Sequence, residues 1–218
     1  MPPPPEYFMP HESVAAHGQR LPHWEQGAVY QFITWRLADA IPQSKLSQIA
    51  EHRKAWLTHH PPPWNEDEER EYHTAFSGVV DTWLDAGTGA CILREPQFRQ
   101  IVTEALHFFD HDRYVLDSFV VMPNHVHVVL QPMSGHPVAD VVKSWKGFTS
   151  REINRLRGTQ GPLWQERYWD RLLRSPLHHV MCREYIRLNP AKAHLREGEY
   201  AWWERPFVAK EPIMEGRR

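Results

Sequence analysis

The run VVMPNHVHVVLQP, residues 120–132, decides how the chain is read. Two apolar stretches rich in β-favouring residues meet at Pro123-Asn124, a pair suited to a tight turn, so the spacing predicts a β-hairpin. Its arms are RYVLDSFVVM, residues 113–122, and HVHVVLQ, residues 125–131. Within the second arm His125 and His127 stand at i and i+2 and project from one face. Val126, Val128 and Leu130, together with Phe119, Val120 and Val121, describe a strand buried on both faces, where an imidazole without a partner is costly. Two neutral imidazoles side by side on a rigid strand are half of a divalent-metal site. The alternative is a pair facing solvent from a half-exposed sheet, and the apolar neighbours argue against it.

Working outward, AVYQFITWRL (28–37) reads as an earlier strand. Two helical segments follow, near 44–59 and 66–86, on either side of HHPPPW; AGTG (86–89) breaks the second. A helix near 96–109 opens on proline, and another runs from about 137 to 156 with Val138, Val141, Val142, Trp145 and Phe148 inward. LWQERYWDRLLR (163–174) reads as a strand. SPLHHVMCREYIRL (175–188) has a serine cap and Pro176 at its first turn, and is expected to stop near Asn189 because the residue before Pro190 is pushed out of the helical region. Residues 1–27, rich in Pro, His and Gly, read as an arm or tail, and 201–218 as a C-terminal tail. The 28–200 stretch then forms one domain with a helical insertion at about 42–88.

The chain has 218 residues, 41% hydrophobic and 24% charged, with 10 tryptophans and 19 prolines, a globular composition. Cys91 and Cys182 form no C-x-x-C pair, which suggests neither a disulfide framework nor a thiolate metal site. No basic segment leads into an apolar one at the N-terminus, and no run approaches the ~20 apolar residues that cross a bilayer. A soluble, cytoplasmic, nucleoid-associated protein without a membrane partner is expected. The net charge of −2 hides an asymmetry: residues 141–196 carry 12 Lys and Arg against 4 Asp and Glu, leaving 13 against 23 elsewhere. Such a basic block fits a phosphate backbone as well as it fits a solvated helix face.

The metal half-site needs further donors and a reacting group. Tyr185 and Asn189 lie at i and i+4 on the last helix and share a face. A tyrosine hydroxyl, with a pKa of about 10, is a weak nucleophile until its surroundings favour the phenolate. A metal on His125, His127 and the Asn189 amide oxygen could polarise a phosphate that Tyr185 attacks. Asn189 is a neutral amide and a weaker ligand than a carboxylate.

MPNHVHVVLQP, WQERYWD and EYIRLNPAKA, in this order, resemble the REP-associated tyrosine transposases, a branch of the His-hydrophobic-His (HUH) single-tyrosine transposases; the likeness spans roughly 28–40 and 90–200. The resemblance implies an α+β fold, a ferredoxin-like antiparallel sheet flanked by helices, here with the helical insertion. It implies His125, His127 and Asn189 as metal ligands, Tyr185 as nucleophile, and Mg²⁺ or Mn²⁺ as cofactor. It also implies cleavage of single-stranded DNA beside a hairpin-forming REP palindrome, through a 5′-phosphotyrosine link, by a monomer or homodimer. Lys143, Lys146, Arg151, Arg155, Gln165, Arg167, Arg171, Arg174, Arg187 and Lys192 then become candidates for DNA contacts, and Trp164, Tyr168 and Trp169 for base stacking. Tyr168 is the rival nucleophile. Two other readings remain: a hairpin-binding protein that no longer cuts, and a histidine-triad nucleotide hydrolase, which would want a third histidine where Val129 stands. The acidic NEDEERE of the insertion suits neither metal nor DNA.

Overall fold

The computed structural model describes residues 7–9, 11, 13, 15–17, 23–61 and 66–206. Most of the expected N-terminal arm, and the tail beyond residue 206, lie outside the described residues. Within the arm, β1 (Ala15–His17) and β2 (His23–Glu25) pair antiparallel. Tyr7 packs near Tyr30 and His179, and the Phe8 amide donates to the Leu173 carbonyl at 2.8 Å.

The main sheet comprises β3 (Gln31–Arg36), β4 (Tyr114–Val121), β5 (His125–Pro132), β6 (Trp169–Leu172) and β7 (Ala201–Glu204), all antiparallel in the order β6-β3-β5-β4-β7. The predicted hairpin is β4–β5. Helices α4 (Pro96–Phe108) and α5 (Val138–Arg157) connect β3 to β4 and β5 to β6. The sequence β3-α4-β4-β5-α5-β6 with β3 and β5 central is the ferredoxin-like arrangement.

Strand alternation divides the core into two layers. Ile33, Trp35, Val126, Val128 and Leu130 face α4 and α5, meeting Val102, Leu106, Val142 and Trp145. Phe32, Val120, Met122 and Val129 face α6 (Pro176–Lys192), meeting Cys182 and Ile186. The side chains of α6 buried against the sheet, His179, Cys182, Arg183, Ile186, Asn189 and Pro190, recur at helical spacing.

A bulge between Leu116 and Ser118 reverses the inside-outside parity of β4. Tyr114 and Leu116 before it, and Phe119 and Val121 after it, all reach the α4–α5 layer, while Asp117 is turned towards α6. There Arg183 donates to Asp117 Oδ1 at 3.0 Å and is held by Glu204 of β7, and His179 Nε2 lies 3.2 Å from the same Asp117 oxygen.

Four sequence readings are corrected. The helix does not stop at Asn189: α6 runs through Pro190 to Lys192, because Asn189 and Pro190 are both buried and tertiary packing outweighs the local pre-proline preference. The 163–174 strand shrinks to β6, its first part making only isolated pairings, Leu37 with Trp164 and the Gln165 amide to the Arg36 carbonyl. Residues 201–204, read as tail, are the edge strand β7. The 66–86 helix is divided into α2 (Glu66–Tyr72) and α3 (Gly78–Asp85) by a π-helical turn at His73–Ser77. The other insertion helix, α1 (Gln43–His59), buries no side chain fully. No helix among the described residues is long and apolar enough to cross a membrane.

Removing one partner of a buried ion pair leaves a charge uncompensated. Arg183→Ala should therefore lower unfolding stability by about 3–5 kcal/mol, read as a fall in urea midpoint. Retention of the wild-type midpoint would show that the pair does not hold α6.

Candidate active site

β5 and α6 face each other, and the strand sets the histidines. Both rings are buried and stand 4.7 Å apart, centroid to centroid. The Asn124 amide nitrogen donates to the carbonyls of Leu84 and Thr88, which leaves its oxygen to accept from His125 Nδ1 at 2.7 Å. That network puts the proton of His125 on Nδ1 and the lone pair on Nε2. His127 Nδ1 shares a hydrogen bond of 2.7 Å with the Thr34 hydroxyl, on the adjacent β3, and its Nε2 has no partner among the described residues. Burial, then the neighbouring Arg36, lowers the His125 pKa to about 3; burial, then His125, holds His127 well below its usual value. Both rings are therefore neutral and able to ligate.

From α6, Tyr185 sets its ring 5.2 Å from that of His127, edge to face, with Lys192 Nζ 4.9 Å from the Tyr185 ring centre. Asn189 is fully buried within reach of His125 and Tyr185, and Asp81 reaches the Tyr185 hydroxyl, yet neither the amide atoms nor the hydroxyl completes a well-formed hydrogen bond among the described residues. An unpaired His127 Nε2 and poorly bonded polar atoms on Asn189 and Tyr185, buried in one place, are costly unless something fills the space between them. Two imidazoles and an amide oxygen are a donor set that fits a divalent cation. No cluster of three His, Cys, Asp or Glu side chains forms a metal site among the described residues, so the amide is needed to complete one.

Sequence reasoning missed three charged residues here. Arg36, opposite His125 across the β3–β5 ladder, has its pKa lowered to about 10 by burial. Its signal was the strand period, which places it with Phe32 and Thr34 on the histidine face. Asp81 of α3 stands beside Tyr185 with Arg171, Lys192 and Arg36 around it; burial raises its pKa. Asp85, one turn on, is raised to about 6 by burial and by Asp81. Nothing in the insertion's periodicity points to either aspartate. The Tyr185 hydroxyl is pushed far above its usual pKa by burial first, then by Asp81 and Asp85.

The other predicted positions separate. Tyr168 precedes β6 and packs with the α4–α5 layer, on the opposite face from the histidines, where burial and Asp170 raise its pKa. Trp164, read as a base stacker, is a core residue: it packs edge-on to Trp35 and donates to Thr149 Oγ1 at 2.9 Å. Lys146 ties down the carbonyls of Gln165 and Glu166 at 2.6 and 2.7 Å. Lys143, Arg151 and Arg155 are exposed on α5, behind the sheet, and Arg187 pairs with Glu184 on the outside of α6. Arg167, Arg171, Arg174 and Gln165 line a groove that opens from the site.

Residues 94–189 match a family model described as transposase IS200 like. No curated protein sequence matches. A solved structure of a REP-associated tyrosine transposase bound to a REP hairpin is similar at 16% identity and a TM-score of 0.45, over 82% of this chain and 74% of that one. A candidate transposase from Deinococcus radiodurans R1 is similar at 18% identity and a TM-score of 0.29, over 73% of this chain and 89% of that one.

A histidine whose folded pKa lies below its unfolded value of 6.5 adds stability above pH 6.5 that is lost as pH falls. Each contributes about 1.4 kcal/mol per pH unit. Asp85, raised from 3.8 to about 6, acts in the opposite direction. Between pH 6.5 and 5, stability from urea unfolding should fall less steeply in His127→Gln than in the wild type, by about one proton; equal slopes would mean that His127 titrates normally.

Proposed function

We propose, for a chain whose residues 94–189 match the IS200-like transposase family model, that it is a metal-dependent, single-tyrosine endonuclease and strand transferase of the REP-associated branch. It acts on single-stranded DNA beside a hairpin-forming palindrome. The observation that carries this reading is the convergence of Tyr185, His127 and Asn189 around one buried space, with His127 Nε2 unpaired and the other two poorly bonded among the described residues.

Tyr185 supplies the nucleophile. Its hydroxyl oxygen bonds to the scissile phosphorus as the bond from phosphorus to the 3′ oxygen breaks, giving a 5′-phosphotyrosine and a free 3′-hydroxyl. Because the ester is retained, a second 3′-hydroxyl can reverse the step on another strand without a nucleotide cofactor. His125, His127 and Asn189 would hold Mg²⁺ or Mn²⁺, which when bound supplies Lewis-acid polarisation of the phosphate. Asn124 and Thr34 orient the two imidazoles. Lys192, over the Tyr185 ring, and Arg171, near Asp81 beside it, place positive charge close to where a phosphate would arrive.

Incubation with a 3′-labelled oligonucleotide bearing a local palindrome should give a covalent protein–DNA band on a denaturing gel. The band should disappear with EDTA and in Tyr185→Phe, and persist in Tyr168→Phe. An adduct that survives Tyr185→Phe and is lost in Tyr168→Phe overturns the assignment. Binding of the cognate hairpin with no adduct in any divalent ion favours a protein that recognises but does not cut.

Asp81 raises the Tyr185 pKa by its charge. Asp81→Asn removes that charge, so the rise of adduct formation with pH should begin at lower pH than in the wild type. An unchanged profile would mean that Asp81 leaves the nucleophile untouched.

A further inference from the structure

The insertion and the sheet enclose a groove of about 1230 Å³. One wall is the insertion itself, through Leu46, Ile49, Arg53, Arg70, Tyr72 and Phe76. The facing wall is formed by residues of β3, of the edge strand β6 and of α6, and Asp81 and Tyr185 are among the lining residues. Among the described residues its lining carries six arginines, Arg36, Arg53, Arg70, Arg167, Arg171 and Arg174, against two carboxylates, Asp81 and Glu166. The acidic character of the insertion's sequence is therefore not the character of the face it turns to the groove. Arg53 lies over the Tyr72 ring at 5.5 Å and within hydrogen-bonding reach of its hydroxyl, with its own Nε unpaired among the described residues, and the Arg70 side chain is 73% exposed and bridged to its own helix neighbour Asp67 at 3.2 Å.

We propose that the insertion, residues 43–85, is the second wall of a channel for single-stranded DNA, in which Arg53 and Arg70 contact backbone phosphates of the strand that leads to Tyr185. The inference rests on the reading of the site as a DNA-cleaving centre. It adds a binding surface that the family match, which begins at residue 94, does not include. The occupant follows from charge and lining: six arginines suit the phosphates of a polyanion that must reach a buried hydroxyl, and the aromatic side chains among them, Phe32, Tyr72, Phe76 and Trp169, suit the unpaired bases of a single strand.

The test uses the full-length protein and two oligonucleotides: the hairpin alone, and the same hairpin with a short oligothymidine flank. Each contact to a single-strand phosphate contributes about 0.7 to the slope of log affinity against log salt, so Arg53→Ala/Arg70→Ala should lower that slope by about 1.4 for the flanked hairpin and leave the bare hairpin unchanged. Arg53→Lys/Arg70→Lys keeps the charges and should restore the slope. Arg70→Ala alone, at an exposed position, should lose half of it without altering the urea midpoint. Equal slopes in wild type and double variant overturn the channel while leaving cleavage intact. An equal loss on the bare hairpin also overturns it, since the arginines would then serve the stem. A wild-type chain that binds neither oligonucleotide and forms no adduct overturns the underlying functional reading instead.

Discussion

A guanidinium buried between two carboxylates fixes the rest of the molecule. Arg183 joins α6 to Asp117 on β4 and to Glu204 on β7, so one side chain locks the helix to two strands. Desolvating these charges costs free energy that only well-placed partners return. The partners are well placed because the bulge in β4 turns Asp117 to the α6 side without disturbing the apolar alternation on either flank. Tyr185 and Asn189 lie half a turn and a turn and a half beyond Arg183 on the same helix. A shift of α6 by even a residue would carry both away from the histidines.

The histidine face was legible and the supporting network was not. Two histidines in an apolar strand of period two identify both their shared face and their burial, and the i,i+4 relation of Tyr185 and Asn189 identifies theirs. These are local rules, and they survived folding. Asp117 could not be read, since a bulge reverses strand parity and leaves no mark in an alternating pattern. Pro190 misled for a related reason: a local preference of the preceding residue was overridden by burial of both residues against the sheet. Trp164 misled because a tryptophan beside arginines suggests stacking until its indole N–H is found committed to Thr149.

The site also stores unfavourable energy of a directed kind. Neutral histidines kept from titrating, a tyrosine hydroxyl held protonated, and an amide with only poorly formed hydrogen bonds are each worse than an apolar alternative in the same volume. The outer nitrogens of the two histidines are nevertheless well satisfied, by Asn124 and by Thr34. That combination, firm on the outer side and unmet on the inner side, is the mark of side chains held ready for something not made of protein.

The position of the insertion follows from topology. It leaves the sheet at the end of β3, where Arg36 pairs with His125, and returns where the Leu93 amide donates to the Pro123 carbonyl. Both of its ends therefore flank the turn that starts the histidine strand, and the segment between them borders the site through Asp81 and Asp85. Its return is pinned as well: the Asn124 side chain grips the Leu84 and Thr88 carbonyls, and Gly89, at φ +88°, passes so close to the Asp39 carbonyl that a Cβ would lie 2.6 Å from its oxygen. The same Asn124 amide orients His125. An element that looks like an addition to the domain thus shares a hydrogen-bond network with its most constrained residue, and a change in how the insertion sits is transmitted to the imidazole through one side chain.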